Sequence, residues 1–215
     1  MEERDSGIIL RVRPLTESSL IILWLTRSGG RISTVAKGAR RPKSPFQGKL
    51  DLYHEAELNY FRSRRSTLHN LREIAVLDAH NLLRRELAWL HQAAYAARLI
   101  EHNTEEESPI PTLFELFTSF IRQLPRTPPS PQTILAFELK ALTILGWSPY
   151  GEQSKLARAD QDLLAALTQV PMDQLPSPIP TPTSLRNLAR YIGDFITYHL
   201  DHIPQGRSAA LGFDC

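Results

Sequence analysis

SLIILWLTRSGGRISTVAK, residues 19–37, decides how the first third of the chain reads. Residues 19–26 are a β-rich run with little polar character, the pattern of a strand buried on both faces. Ser28-Gly29-Gly30 follows as a hairpin turn, because glycine reaches positive φ at no steric cost. Residues 31–37 (RISTVAK) are the returning strand. Working outward, Ile8, Leu10 and Val12 alternate with Ile9, Arg11 and Arg13 upstream. Downstream, Leu50, Leu52, Ala56, Leu58 and Tyr60 alternate with Asp51, Glu55, Glu57 and Asn59, which predicts a strand with one dry and one wet face. After a basic turn (RSRRS), residues 67–77 (TLHNLREIAVL) read as a fifth strand. Five strands in about 75 residues, with no helix-length segment among the first three, predict a small antiparallel β-barrel.

The remainder has the period of helices. From Asn81 to about Asn103, Leu83, Leu87, Leu90, Ala94, Ala97 and Ile100 recur at steps of three and four, and the run stops in TEEESP, which reads as a solvated end. Leu113, Phe117, Phe120, Ile121 and Leu124 mark a second helix, closed by a proline-rich connector. Ser130 and Pro131 suit the cap and first turn of a third, which Gly146 terminates. A short helix near 160–170 precedes a proline-rich, polyproline-like linker at 171–183, and a last helix carries Leu185, Leu188, Ile192, Phe195, Ile196, His199, Leu200 and Ile203. The expected fold class is therefore α+β in two domains, a basic β-barrel at 1–78 followed by a helical bundle at 79–215.

Charge follows the same division. The net charge of +2 separates into 14 Lys/Arg against 9 Asp/Glu in residues 1–78 and 11 against 14 in residues 79–215. A basic first part suggests an anionic partner, most often nucleic acid, because Lys and Arg displace counterions from phosphates. The longest apolar run, 20–25, is far shorter than the ~20 residues of a membrane span, and the acidic start MEERDSGI lacks the plan of a secretory signal. A cytoplasmic protein with no membrane association is the expectation. Cys215 is the single cysteine, so neither an intrachain disulfide nor a thiolate-rich zinc site is available.

The cations concentrate in VAKGARRPKSPF, residues 35–46. Its GARRPKS faintly resembles a phosphate-cradling loop, but Pro42 stands where that motif needs a glycine N–H, which argues against a nucleotide triphosphate site. Two readings of the loop remain: a solvated loop, or one edge of a nucleic-acid site. Arg27, Arg31, Arg62, Arg64 and Arg65 favour the second, since hairpin turns of one small barrel could bring them near the same face as Lys37, Arg40, Arg41 and Lys43. Trp24, Tyr53, Tyr60 and Phe61 are either core or stacking platforms, and Phe114, Phe117 and Phe120 either core or a pocket for a partner's apolar tail. His199 and His202, at i and i+3 with Asp194 or Asp201 near, are the only metal-like group; His199 falls on an apolar face, which favours a structural role. No nucleophile elbow, HExxH or Cys–base pair is present, so nothing points to an enzyme.

GIILRVRPLTESSLIILWLT, then GGRISTVAKGARRPKS, LDLYHEAELNY and the closing YHLDHIPQGRS together resemble the bacterial DNA repair and recombination mediator RecO family, over nearly the whole chain. The resemblance implies an N-terminal OB-fold and a C-terminal helical domain. It also implies binding of single- and double-stranded DNA, ATP-independent annealing of complementary strands, and a nucleoid-associated role. The implied partners are RecR, the acidic C-terminal tail of the single-stranded-DNA-binding protein SSB, from which RecA is loaded, and RecF as a further candidate. Carried onto this sequence, Lys37, Arg40, Arg41 and Lys43 become the principal DNA contacts. Many relatives carry a four-cysteine zinc element between the third helix and the last ones, where this chain has the cysteine-free WSPYGEQSKLARADQ, so no zinc and no other cofactor is expected. Competing readings are a protein adaptor that works through its helices and an RNA-binding OB-fold protein of translation.

Overall fold

The structure, a computed structural model, describes residues 1–149, 156–175 and 180–214. Five strands close a barrel in the order β1-β2-β3-β5-β4: β1 Glu2–Pro14, β2 Leu20–Thr26, β3 Gly30–Ala36, β4 Glu55–Phe61 and β5 Leu68–Asp78. Every neighbouring pair is antiparallel except β3 and β5, which run parallel from Ser33↔Leu68 to Val35↔Asn70. An odd number of strands cannot close a ring with every neighbour reversed, so one parallel seam is unavoidable. The register of β1 on β2 shifts between Ile9 and Arg11. Such a bulge bends a strand, and here β1 pairs with β2 on one edge and β4 on the other.

Ile21 to Leu25 are all buried, as their unbroken apolar run predicts. Ile9, Ile22, Trp24, Ile32, Leu58, Tyr60, Leu71 and Ile74 fill the barrel, and Trp24 Nε1 donates to Thr34 Oγ1 at 2.9 Å, so its buried N–H is satisfied. The strand expected from Leu50 begins instead at Glu55. Tyr53 has φ +65° and residues 50–54 form a turn, tied to β1 by Tyr53 N–H to Ile9 O at 2.9 Å and Ile9 N–H to His54 O at 3.1 Å. Glu55, read as a wet position, is buried.

The helices are α1 Leu87–Asn103, α2 Pro111–Gln123, α3 Pro131–Ile144, α4 Arg158–Gln169, α5 Pro182–Leu200 and α6 Arg207–Leu211. Ser130 accepts from Gln132 N–H and Pro131 opens α3, while Gly146 sits at φ +88° beyond its end, as the sequence implies. Residues 150–155 of the cysteine-free segment and 176–179 of the proline-rich linker lie outside the described residues.

The sequence pattern puts one boundary near residue 79, but the compact units are discontinuous. The first joins Met1–Asn81 to Thr104–Thr118; the second joins Leu82–Asn103 to Ser119–Cys215. In the first unit the TEEES stretch, expected to be a solvated stop, returns to the barrel. Glu107 N–H donates to Arg31 O at 2.9 Å, and the Ser108 carbonyl lies so close to Gly30 that a Cβ there would sit 2.3 Å from its oxygen. Gly30 has φ +73°, so both the turn and the close approach require glycine.

The second unit packs α3 against α4, α5 and α6, with Phe120 against Phe137 at 4.5 Å between ring centroids. At its centre Arg207 meets the fully buried Glu138 bidentately, at 2.6 and 2.9 Å, and also donates to Ala189 O at 2.9 Å. Tyr95 donates to the same carboxylate at 2.5 Å, and burial followed by Glu138 pushes its phenol pKa well up. A buried charge is tolerated only when paired and hydrogen-bonded, and both conditions are met here. Phe114 and Phe117 in the first unit and Phe120 in the second are core residues.

Candidate nucleic-acid interface

Residues 37–54 leave β3 and fold over one end of the barrel as a chain of tight turns. Arg41 N–H donates to Gly38 O, Ser44 N–H to Arg41 O, Gln47 N–H to Ser44 O and Lys49 N–H to Phe46 O, at 3.0 to 3.2 Å. Phe46 belongs to the barrel core cluster, against which Ala39 and Leu50 also pack. The loop is therefore anchored by an aromatic plug and braced by its own backbone. Arg40 N–H to Ser18 O at 3.0 Å joins it to the β1–β2 turn. With its apolar side inward, the loop turns Lys37, Arg40, Arg41 and Lys43 to solvent. Among the described residues none of these four has an ion pair or side-chain hydrogen bond. Arg13, exposed at the end of β1 opposite Ile21, belongs to the same end. Its place directly before Pro14 at a strand end was the sequence signal that could have added it to the candidates.

Arg27, Arg31, Arg62, Arg64 and Arg65 do not join them. Because successive strands reverse, the β1–β2 and β3–β4 connections share one end, and the β2–β3 and β4–β5 connections occupy the other. Arg27 N–H donates to Ser6 O and Arg62 N–H to Met1 O, whereas the basic loop starts from Ala36, which pairs with Leu20 beside Pro14. Along β1 the loop end at Pro14 lies eight residues from Ser6 and thirteen from Met1, paths of roughly 26 and 43 Å at about 3.3 Å per residue.

Three of the five are also occupied. Arg27 pairs with Glu115 at 3.1 Å and lies 5.2 Å over the Phe114 ring. Arg31 donates to Thr104 O at 2.7 Å and faces Glu106 at 3.7 Å. Arg62 pairs with Glu107 and lies 3.6 Å from Glu3. The Glu107 contact holds the Arg62 guanidinium above its ordinary pKa. Arg64 and Arg65 are exposed with no side-chain partner among the described residues.

Of the four candidate stacking aromatics, Trp24, Tyr53 and Tyr60 are core. Tyr60 OH donates to Glu3 at 2.8 Å, and burial, reinforced by that carboxylate, raises its pKa. Phe61 alone is surface, 39 % exposed, with the Arg72 guanidinium 5.1 Å over its ring. His69, 1 % exposed, stacks on Tyr60, accepts from Ser63 N–H at 3.3 Å through Nδ1 and turns Nε2 toward Glu107 at 3.1 Å. Burial lowers its pKa.

His199 sits among the rings of Trp147, Phe195 and Tyr198, while His202 reaches His102 at 3.4 Å. Among the described residues no three His, Cys, Asp or Glu side chains are placed to hold a metal ion, and no helix is long and apolar enough to cross a membrane.

Barrel order, parallel seam and appended helices define an OB-type barrel protein with a helical C-terminal region and a cationic rim on its β3–β4 connection. Residues 1–80 match the family Recombination protein O N terminal and residues 84–157 match Recombination protein O C terminal. The chain belongs to the RecO family. It is 32 % identical over 156 residues to the DNA repair protein RecO of Rhodopirellula baltica, covering 73 % of this chain and 58 % of that protein. It is also 32 % identical over 145 residues to the protein of the same name from Symbiobacterium thermophilum, covering 66 % and 56 %. The chain thus spans less than three fifths of the length of these curated relatives.

Proposed function

We propose that this protein is a DNA repair and recombination mediator that binds DNA and promotes pairing of complementary single strands without ATP. The observation that carries the reading is the group Lys37, Arg40, Arg41 and Lys43, four exposed cations with no carboxylate partner among the described residues, on a braced loop of an OB-type barrel. Such a loop neutralises backbone phosphates without reading bases. Two strands screened in this way repel each other less and can pair, with no bond made or broken. Family membership supports the partners: RecR, and SSB, whose acidic tail the helical region would receive while RecA is loaded; RecF is a further candidate. Arg64 and Arg65 are retained as secondary DNA contacts. Arg27, Arg31 and Arg62 are assigned to holding the 104–118 segment on the barrel.

An annealing assay with SSB-coated complementary oligomers, with and without the protein and without ATP, tests the proposal. Accelerated pairing is expected. Pairing no faster than in the control would refute the mediator reading.

A further inference from the structure

Between the β1–β2 turn and the basic loop lies a cleft of about 450 Å³, lined by Leu15, Thr16, Ser18, Ser19, Val35, Lys37, Gly38 and Arg41. The cleft is open to solvent, and its volume is within the range of small-ligand sites. Both walls are held in place. Thr16 Oγ1 accepts from Ser18 N–H at 3.3 Å and Ser19 N–H at 3.1 Å, Leu15 N–H donates to Ser19 O at 3.0 Å, and Gly38 N–H to Ser19 Oγ at 3.4 Å. The walls also differ in chemistry. Leu15, 47 % exposed, offers apolar surface on the turn side, Val35 in the lining is 8 % exposed, Lys37 and Arg41 offer charge on the loop side, and no carboxylate is among the described lining residues.

A lone exposed leucine is ordinary; a leucine across a cleft from two cations fits a ligand that is flat and apolar on one side and anionic on the other. An unpaired nucleotide has that form, whereas a duplex keeps its base faces stacked away from a cleft of this size. We infer that the cleft takes one nucleotide of an unpaired strand, the base against Leu15 and an adjoining phosphate at Lys37 and Arg41. The inference rests on the proposed DNA contact of the basic loop. To it is added a preference for single strands at one point of the rim, which lets the protein hold a strand open for its complement.

The test uses the full chain with three probes: an oligo-dT, a fully abasic oligomer with the same number of phosphates, and a blunt duplex. Leu15→Ser should weaken oligo-dT about five-fold, leave the salt slope as it was, and leave the abasic oligomer and the duplex within about two-fold. Leu15→Phe, a larger platform at an exposed site, should hold or tighten oligo-dT. Equal affinity of the native protein for oligo-dT and the abasic oligomer, with no effect of Leu15→Ser, would overturn the inference and leave a phosphate-only cleft. If Lys37→Ala with Arg41→Ala changed neither affinity nor slope, the DNA reading of the loop itself would fail, a result distinct from the first.

Discussion

The two ends of the barrel carry similar numbers of cations and use them differently. At the end where β1 begins, Arg27, Arg31 and Arg62 each face a carboxylate, from Glu115, Glu106 and Glu107 of the returning segment, and only Arg64 and Arg65 of its five candidate cations have no side-chain partner among the described residues. At the end where β1 finishes, Lys37, Arg40, Arg41 and Lys43 face none among the described residues. A count of positive charge does not distinguish the ends; the availability of each charge does. Phosphate binding gains from counterion release, and a guanidinium already paired with a carboxylate has less to gain.

The largest effect is expected when the anchor of the free end is removed. Phe46→Ala empties part of the barrel core and should cost about 3 kcal/mol in chemical denaturation. It should also lower the salt slope of DNA binding, because the turns that present the cations lose their plug. At the paired end Gly30→Ala meets both a left-handed backbone and the Ser108 carbonyl, so about 2 kcal/mol is expected, with faster proteolysis near residues 104–110 while Phe46 stays buried.

Glu106→Gln with Glu107→Gln sharpens the contrast in the other direction. With two carboxylates beside Arg31 and Arg62 neutralised, while Thr104 and Glu3 stay in place, single-strand affinity should rise about three-fold at low salt, and the gain should fade at high salt. No gain would mean that these two carboxylates are not what keeps Arg31 and Arg62 from phosphate. The smallest effect is expected at His69. Burial lowers its pKa from 6.5, so below that value the unfolded chain binds more protons than the folded one. Its contribution is present above about pH 6.5 and is lost as pH falls through the lowered native value. Thermal unfolding of native protein and His69→Gln should differ in slope across that window, and parallel curves would remove His69 from the pH response.

Much of this arrangement is local in origin, and that part was legible. The apolar run of β2, the glycine turn before β3, the Ser130-Pro131 start of α3 and the clustered cations each depend on neighbours in sequence. What escaped depends on distant partners. TEEES reads as a solvent-facing stop because Arg31 and Arg62 lie over forty residues away, and the strand at 50–54 fails because one residue, Tyr53, takes a positive φ to reach Ile9. Arg207 near the chain's end shows no sign of being buried until Glu138, on α3, is beside it. The placement of Arg27 and Arg62 away from the basic loop follows from strand reversal, a topological fact that composition does not carry.

If the protein binds DNA as proposed, the loop cations Lys37, Arg40, Arg41 and Lys43, and not the paired arginines, carry the main phosphate contacts. Salt titration of single-strand binding tests it with two variants measured beside the native protein, one with Lys37, Arg40, Arg41 and Lys43 changed to Ala, the other with Arg27, Arg31 and Arg62 changed to Ala. Four phosphate contacts correspond to a log–log slope of about −3, so a fourfold rise in salt weakens their contribution roughly fifty-fold. The first variant should lose about that much slope and the second less than one unit of it. Equal losses in both, or an unchanged slope in the first, would contradict the account.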